Sequence, residues 1–192
     1  MNILWIKDGK LGHEKQVKVL LDELSKTTDI KVYEEEYIIG SFQRINDILY
    51  YASRSNELIH HVKYHKKNIH LIIGAGSNTH AKVLQIKRGL KHDFHKEVLA
   101  VSLLVPSFFK QHFDLICAPK HDRHKLSGHE AIYFEGSLAK VSIDAVDESI
   151  GLIAIGGKNE HYLFNVNKIM EQVEFVTSIY PNKTWYIFSS RR

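Results

Sequence analysis

Apolar positions in this chain fall alternately into short continuous runs and into stripes at helical spacing. Residues 2–6, Asn-Ile-Leu-Trp-Ile, form a short apolar run bounded by turn residues, which predicts a buried strand. Over residues 15–24, Val17, Leu20, Leu21 and Leu24 recur at helical spacing with charges between them. The stretch between, residues 7–14, carries two glycines, His13 and Glu14 and is predicted as the connecting loop. Residues 29–39 predict a strand that ends in a run of three glutamates. Ser41 is placed as the N-cap of a helix through Phe42, Ile45, Ile48, Leu49 and Tyr50, and a further helical segment follows over 56–66.

The same alternation continues. An apolar strand over 69–73 feeds Gly74-Ala75-Gly76-Ser77-Asn78-Thr79-His80 and then a helix over 81–90. Strands are predicted over 97–105, ended by Pro106, over 114–118, running into Pro119-Lys120-His121-Asp122, and over 131–134. Residues 142–149 are polar and acidic and read as a linker. Beyond them lie a strand over 150–155, the turn Gly156-Gly157-Lys158, a helix over 165–179 and a strand over 184–188. Alternation of this kind predicts an α/β fold with a Rossmann-like parallel sheet and flanking helices. The restart at residue 150 predicts a second, similar sheet, of which one βαβ unit is present. The expected domains are 1–148 and 149–192.

Composition narrows the class. The chain has 192 residues, 44% hydrophobic and 25% charged, which is the balance of a soluble globular protein with a real core. The apolar run at 98–109 is too short for a membrane span and contains a proline. The first strand begins directly after Met1, leaving no room for a signal peptide. Cys117, the single cysteine, excludes an intramolecular disulfide and is read as a small core residue. The formal charge of +4 is mildly basic, and no basic stripe interleaved with aromatics argues for nucleic acid. His61 and His65 have an i, i+4 spacing, but no glutamate sits at the metalloprotease position, and a solvated helix face is the better reading. No cysteine–histidine cluster has structural zinc spacing and no Asp-x-Asp pair occurs, so no metal and no cofactor are expected.

In an open parallel sheet the loops after the strands share one edge, where ligands bind. Three loops are expected there: His13 and Glu14 from the first, Ser77, Asn78 and His80 from the second, His121 and Asp122 from the fourth. His13 at a helix start suits a general base, and His121-Asp122 a second acid/base or an orienting pair. Gly12 and Gly74 permit close backbone approach of a ligand. The bland alternative has Asp122 capping a turn and His121 packing locally.

Several of these stretches also resemble a family. Trp5, Asp8-Gly9-Lys10, Gly12-His13-Glu14 and Gln16 are similar to the opening of the "elongated mitochondria" mitochondrial-fission family. Phe113-Asp114-Leu115, Ala118-Pro119-x-His121-Asp122, Phe134-x-Gly136-Ser137-Leu138, Ile155-Gly156-Gly157-Lys158 with His161, and Ser189-Ser190-Arg191-Arg192 agree in order. Lys120 departs from the acid usual in the family. The resemblance implies two Rossmann-like domains facing a cleft, as in GT-B glycosyltransferases, with this chain holding the N-terminal domain and the start of the second. Family members generally continue further, which makes this chain a short member or a fragment. It implies a nucleotide sugar as donor, bound mainly through Gly156, Gly157, Lys158, Ser190 and Arg191, and a saccharide or lipid-linked acceptor. It also implies a cytoplasmic protein at the inner face of a membrane. On its own this chain is expected to bind a nucleotide sugar weakly and to turn over nothing. A non-catalytic scaffold, in keeping with a fission role, is the alternative. The epimerase label carried by some members fits poorly, since Gly9-x-x-Gly12 is not a dinucleotide fingerprint and no Tyr-x-x-x-Lys pair occurs.

Overall fold

The computed structural model describes residues 1–52, 58–140, 146–157 and 163–189, with the backbone alone at 58–61. The chain divides into two compact units, Met1–Lys140 and Val141–Arg192.

In the first unit the elements run β1 (Asn2–Lys7), α1 (Leu11–Ser25), β2 (Lys31–Glu36), α2 (Ser41–Ala52), α3 (Leu58–Lys66), β3 (Leu71–Ala75), α4 (Ser77–Phe94), β4 (Leu99–Leu103), β5 (Leu115–Pro119) and β6 (Ile132–Phe134). A 3-10 helix, Lys120–Leu126, joins β5 to β6. The six strands form one sheet in the order β2-β1-β3-β4-β5-β6, and every pairing is parallel. β1 and β3 to β5 are apolar on both faces, as a sheet covered on both sides requires. Ile3 and Trp5 pack with Val17 and Leu21 of α1 and with Cys117 of β5. Leu4 and Ile6 pack on the opposite face with Val83, Leu84, Ile86 and Leu90 of α4, Tyr51 of α2 and Tyr64 of α3. So α1 covers one face and α2 to α4 the other.

This arrangement creates the feature that matters for function. From β1 the chain passes through α1 to β2 on one side of β1, then returns to place β3 on its other side and continues outward to β4. The helices that follow β1 and β3 therefore leave on opposite faces. The carboxyl ends of these two strands border the crevice at the point where strand order reverses, the usual ligand position in such sheets.

The second unit is β7 (Ile150–Ile155), α5 (Val166–Ile179) and β8 (Thr184–Ser189), with β7 and β8 paired in parallel. Gly151 is the contact that lets the strands and Trp185 fit: a Cβ there would come within 2.5 Å of the Trp185 ring. Asn165 caps α5, its side-chain oxygen accepting from the Lys168 amide at 3.1 Å.

Element types agree with the sequence expectation and several boundaries do not. α1 begins at Leu11 and takes in Gly12, His13 and Glu14, which were expected in the loop. α4 begins at Ser77 rather than at residue 81. Ser41 is the first residue of α2 rather than its N-cap. His121 and Asp122 lie on the 3-10 helix after β5.

Candidate functional site

Asp8 and His13 meet at the carboxyl ends of β1 and β3. Asp8 follows the last residue of β1 directly, and its carboxylate is 1% exposed. His13 is the third residue of α1, and the Lys10 carbonyl accepts both the His13 and Glu14 amides to start that helix. His13 Nδ1 lies 2.8 Å from Asp8 Oδ2. The other carboxylate oxygen, Oδ1, accepts from the Lys10 amide at 3.1 Å. A carboxylate only accepts, so the proton of a neutral His13 ring is on Nδ1 and the lone pair is on Nε2. The His13 side chain is 24% exposed.

Gly76 makes the pair possible. It has φ +81, and a Cβ on it would overlap the His13 ring and come within 3.1 Å of Asp8 Oδ2. Only a residue without a side chain both adopts that backbone and admits the imidazole. Gly74, the expected ligand-facing glycine, is inside β3. A Cβ there would meet Thr79 Oγ1 at 2.5 Å and Val83 at 3.0 Å, so its small size serves the packing of α4 on the strand.

Ser77 and Asn78 form the first turn of α4, next to Gly76. Both are half-buried, and neither side chain makes a hydrogen bond among the described residues. Their amides are the unpaired N–H groups of a helix start, where a negatively charged ligand group is favoured.

His80, one turn along α4, is buried. Its Nε2 lies 3.0 Å from Ser102 Oγ, and that hydroxyl donates to the Leu104 carbonyl at 2.8 Å. Ser102 therefore accepts from Nε2–H, which leaves the buried Nδ1 as an acceptor without a partner among the described residues. Burial pushes the His80 pKa down to about 3, with His13 and Arg44 acting in the same direction and the Asp8 carboxylate against it. His80 is thus a neutral ring behind the Asp8–His13 pair. It also steadies Leu104, a non-glycine residue at φ +72.

The other expected residues have surroundings of their own. Glu14 Oε2 is 3.4 Å from Lys7 Nζ, which also binds Glu34 at 3.1 Å, so Glu14 is engaged in an ion-pair cluster. Gly12 borders a cleft of about 510 Å³ together with Lys15, Gln16 and the segment from Ser137 to Lys140. Asp122 accepts from Lys125 Nζ at 2.6 Å, and His121 is exposed with its Nε2 3.9 Å from Asp122. Among the described residues, no hydrogen bond or ion pair connects His121 or Asp122 to Asp8 or His13. In the second unit, Gly156 and Gly157 border an apolar groove of about 510 Å³ with Phe164, Ile169 and Val173. Lys158, Ser190 and Arg191 lie outside the described residues.

Asp8 is the residue that sequence reasoning left without a role. Its signal was its place: a carboxylate at the carboxyl end of an apolar strand, five residues before a histidine at a helix start.

No group of three or more histidine, cysteine or acidic residues suited to a metal ion occurs among the described residues. None of their helices is long and apolar enough to cross a membrane. No curated protein and no solved structure matches the chain. A family model does match, over residues 11–192, and by that match the chain belongs to the family described as mitochondrial fission ELM1.

Proposed function

We propose that the chain acts in glycosyl transfer of the GT-B type, with His13 as general base on the acceptor hydroxyl. The observation that carries this reading is the Asp8–His13 pair at the sheet's reversal point, 2.8 Å apart and beside the free amides at the start of α4. In the reaction, Nε2 of His13 takes the acceptor hydroxyl proton as that oxygen bonds to the anomeric carbon. The bond from that carbon to the diphosphate breaks, and the departing nucleoside diphosphate keeps the electron pair. Asp8 holds the ring in the useful tautomer and offsets the charge of the imidazolium that forms. Ser77 and Asn78 offer polar contacts to the substrates. The donor's contacts are assigned to Gly156, Gly157, Lys158, Ser190 and Arg191 on the family resemblance alone.

The test is nucleoside diphosphate release from a panel of UDP- and GDP-sugars by the full-length gene product, with saccharide and lipid-linked acceptors. His13→Ala should abolish release with only a modest fall in melting temperature, since the buried Asp8 carboxylate loses one of its two partners and keeps the Lys10 amide. Release that survives His13→Ala defeats the reading. If the parent protein releases nothing but still binds its partners, the binding-protein alternative takes its place.

A further inference from the structure

Helices α2 and α4 lie side by side and run in the same direction. Gln85 Nε2 donates to the Asp47 carbonyl at 3.0 Å, and Arg88 Nη1 donates to the Tyr51 carbonyl at 2.6 Å. Both helices follow strands of one parallel sheet, so both start at its carboxyl edge. Asp47 and Tyr51 are the buried residues of α2. Arg44 precedes Asp47 by three residues, on the same stripe and in the first turn. It is half-buried.

A guanidinium in such a position normally donates to a carboxylate or a carbonyl. Arg88, further along the same helix pair, has the Tyr51 carbonyl. The Arg44 side chain makes no hydrogen bond or ion pair among the described residues. The acids on the elements around it are committed. Asp8 is held by His13 and the Lys10 amide, and Asp47 by the Tyr37 hydroxyl at 2.7 Å and Gln43 at 3.0 Å. Glu35 of β2 is held by Tyr64 and Lys63. Glu34 and Glu36 alternate to the other face of that strand, where Glu34 binds Lys7. Arg44 is therefore a cation turned inward without a counter-charge among the described residues.

Its surroundings suit an anion. Ser77 and Asn78 present free amides at the start of α4. Lys82, one turn beyond Asn78, lies over the Tyr37 ring, 5.3 Å from its centroid, and has no carboxylate partner among the described residues. Tyr37 is itself at the carboxyl edge, its amide donating to the Lys7 carbonyl at 2.7 Å. The charge of Arg44 reaches the His80 ring in the first turn of α4. The buried Nδ1 of that ring is a further polar atom left without a partner among the described residues. A guanidinium, an ammonium and free amides at one helix start outnumber the two oxygens of a carboxylate. A tetrahedral phosphate has oxygens for all of them.

We propose that Arg44 binds a phosphate group of the acceptor, beside the hydroxyl that His13 deprotonates, with Lys82 and the amides at the start of α4 as further donors. The acceptor is then a phosphorylated or diphosphate-linked saccharide. The word acceptor rests on the glycosyl-transfer reading, whereas phosphate binding by this unit does not.

The experiment has two arms. In the first, the isotope-labelled full chain is titrated with glucose 1-phosphate, inorganic pyrophosphate, glucose and sodium chloride, followed by amide resonances. The Ser77 and Asn78 amides should shift with the two phosphates and not with glucose or chloride. Tighter binding of glucose 1-phosphate marks a monoester site, and tighter binding of pyrophosphate a diphosphate site. Arg44→Gln should weaken the binding by about tenfold or more. Its melting temperature should not fall, since the side chain has no bond to lose. In the second arm, Arg44→Gln in the full-length gene product should raise KM for phosphorylated acceptors by about tenfold or more, with a smaller effect on kcat. Unchanged phosphate affinity in Arg44→Gln, or equal shifts with glucose or chloride, overturns the inference. Arg44-dependent phosphate binding in a protein that transfers nothing upholds the site and defeats the glycosyl-transfer reading. Transfer to acceptors without phosphate that Arg44→Gln does not slow upholds that reading and defeats this inference.

Discussion

The proton on His13 is placed by its neighbour. With the carboxylate of Asp8 at 2.8 Å from Nδ1, the basic nitrogen of the neutral ring is Nε2. Asp8→Asn keeps the shape and removes the charge that favours the imidazolium, so transfer should fall by about 10²- to 10⁴-fold with little change in melting temperature. Steady-state kinetics over a range of acceptor concentrations checks this, and the loss should appear in kcat. Gly76→Ala has a different outcome. It needs φ +81 and overlaps the His13 ring, so it should cost about 1–3 kcal/mol in urea unfolding and displace the imidazole as well. His80 supplies a pH effect. Its folded pKa of about 3 is below its ordinary value of 6.5, so between these pH values only the unfolded chain takes up the proton. That contribution is complete above pH 6.5 and is lost as pH falls toward 3, with a slope approaching ~1.4 kcal/mol per pH unit. His80→Gln, measured by urea unfolding at pH 7 and pH 5, should show a shallower decline. His13 was readable because a titratable ring next to a glycine at a helix start is a distinctive combination. The division of labour between Gly74 and Gly76 was not, because it depends on which neighbour presses on each Cα.

At the scale of elements, strands could be read and helix starts could not. The apolar runs of β1, β3, β4 and β5 are buried on both faces, and no other element gives that pattern. Helix starts are set by the first backbone hydrogen bonds, such as His13 N–H to the Lys10 carbonyl, and the first turns of α1 and α4 are polar. Periodicity only becomes visible once the helix meets the core. α2 is the clearest divergence. Of the residues through which the helix was read, Phe42, Ile45 and Leu49 are exposed and Ile48 and Tyr50 half-buried, while Asp47 and Tyr51 are buried. Asp47 is held inside by the Tyr37 hydroxyl and Gln43, and its removal leaves the Tyr37 hydroxyl without its acceptor, at a desolvation cost. Asp47→Ala should therefore destabilise the protein by about 1–3 kcal/mol in urea unfolding, and Asp47→Asn by less. Asn165→Ala, which removes the cap of α5, should cost about 1 kcal/mol of that helix's stability, seen as faster amide exchange in its first turn.

At the scale of the molecule, the two units have different internal resources. The first has six paired strands with helices on both faces and two packed cores. Among its described residues the second has two strands and one helix, and Leu152, Tyr186, Ile187 and Phe188 of its sheet are exposed. A two-stranded sheet is marginal by itself. Amides of β7 and β8 should thus exchange with deuterium well before those of β1, β3 and β4 in the intact chain. The alternation of strands and helices made the parallel α/β sheet readable in the sequence. Strand order was not, since it depends on which side of β1 the chain returns to. Cys117 sits on β5 within the better-built unit, and burial pushes its thiol up from the ordinary range. Burial to 7% exposure and the raised thiol both slow an alkylating reagent while the sheet is shut. Its rate of modification is therefore a built-in clock for the opening of the larger unit, free of any signal from the smaller one.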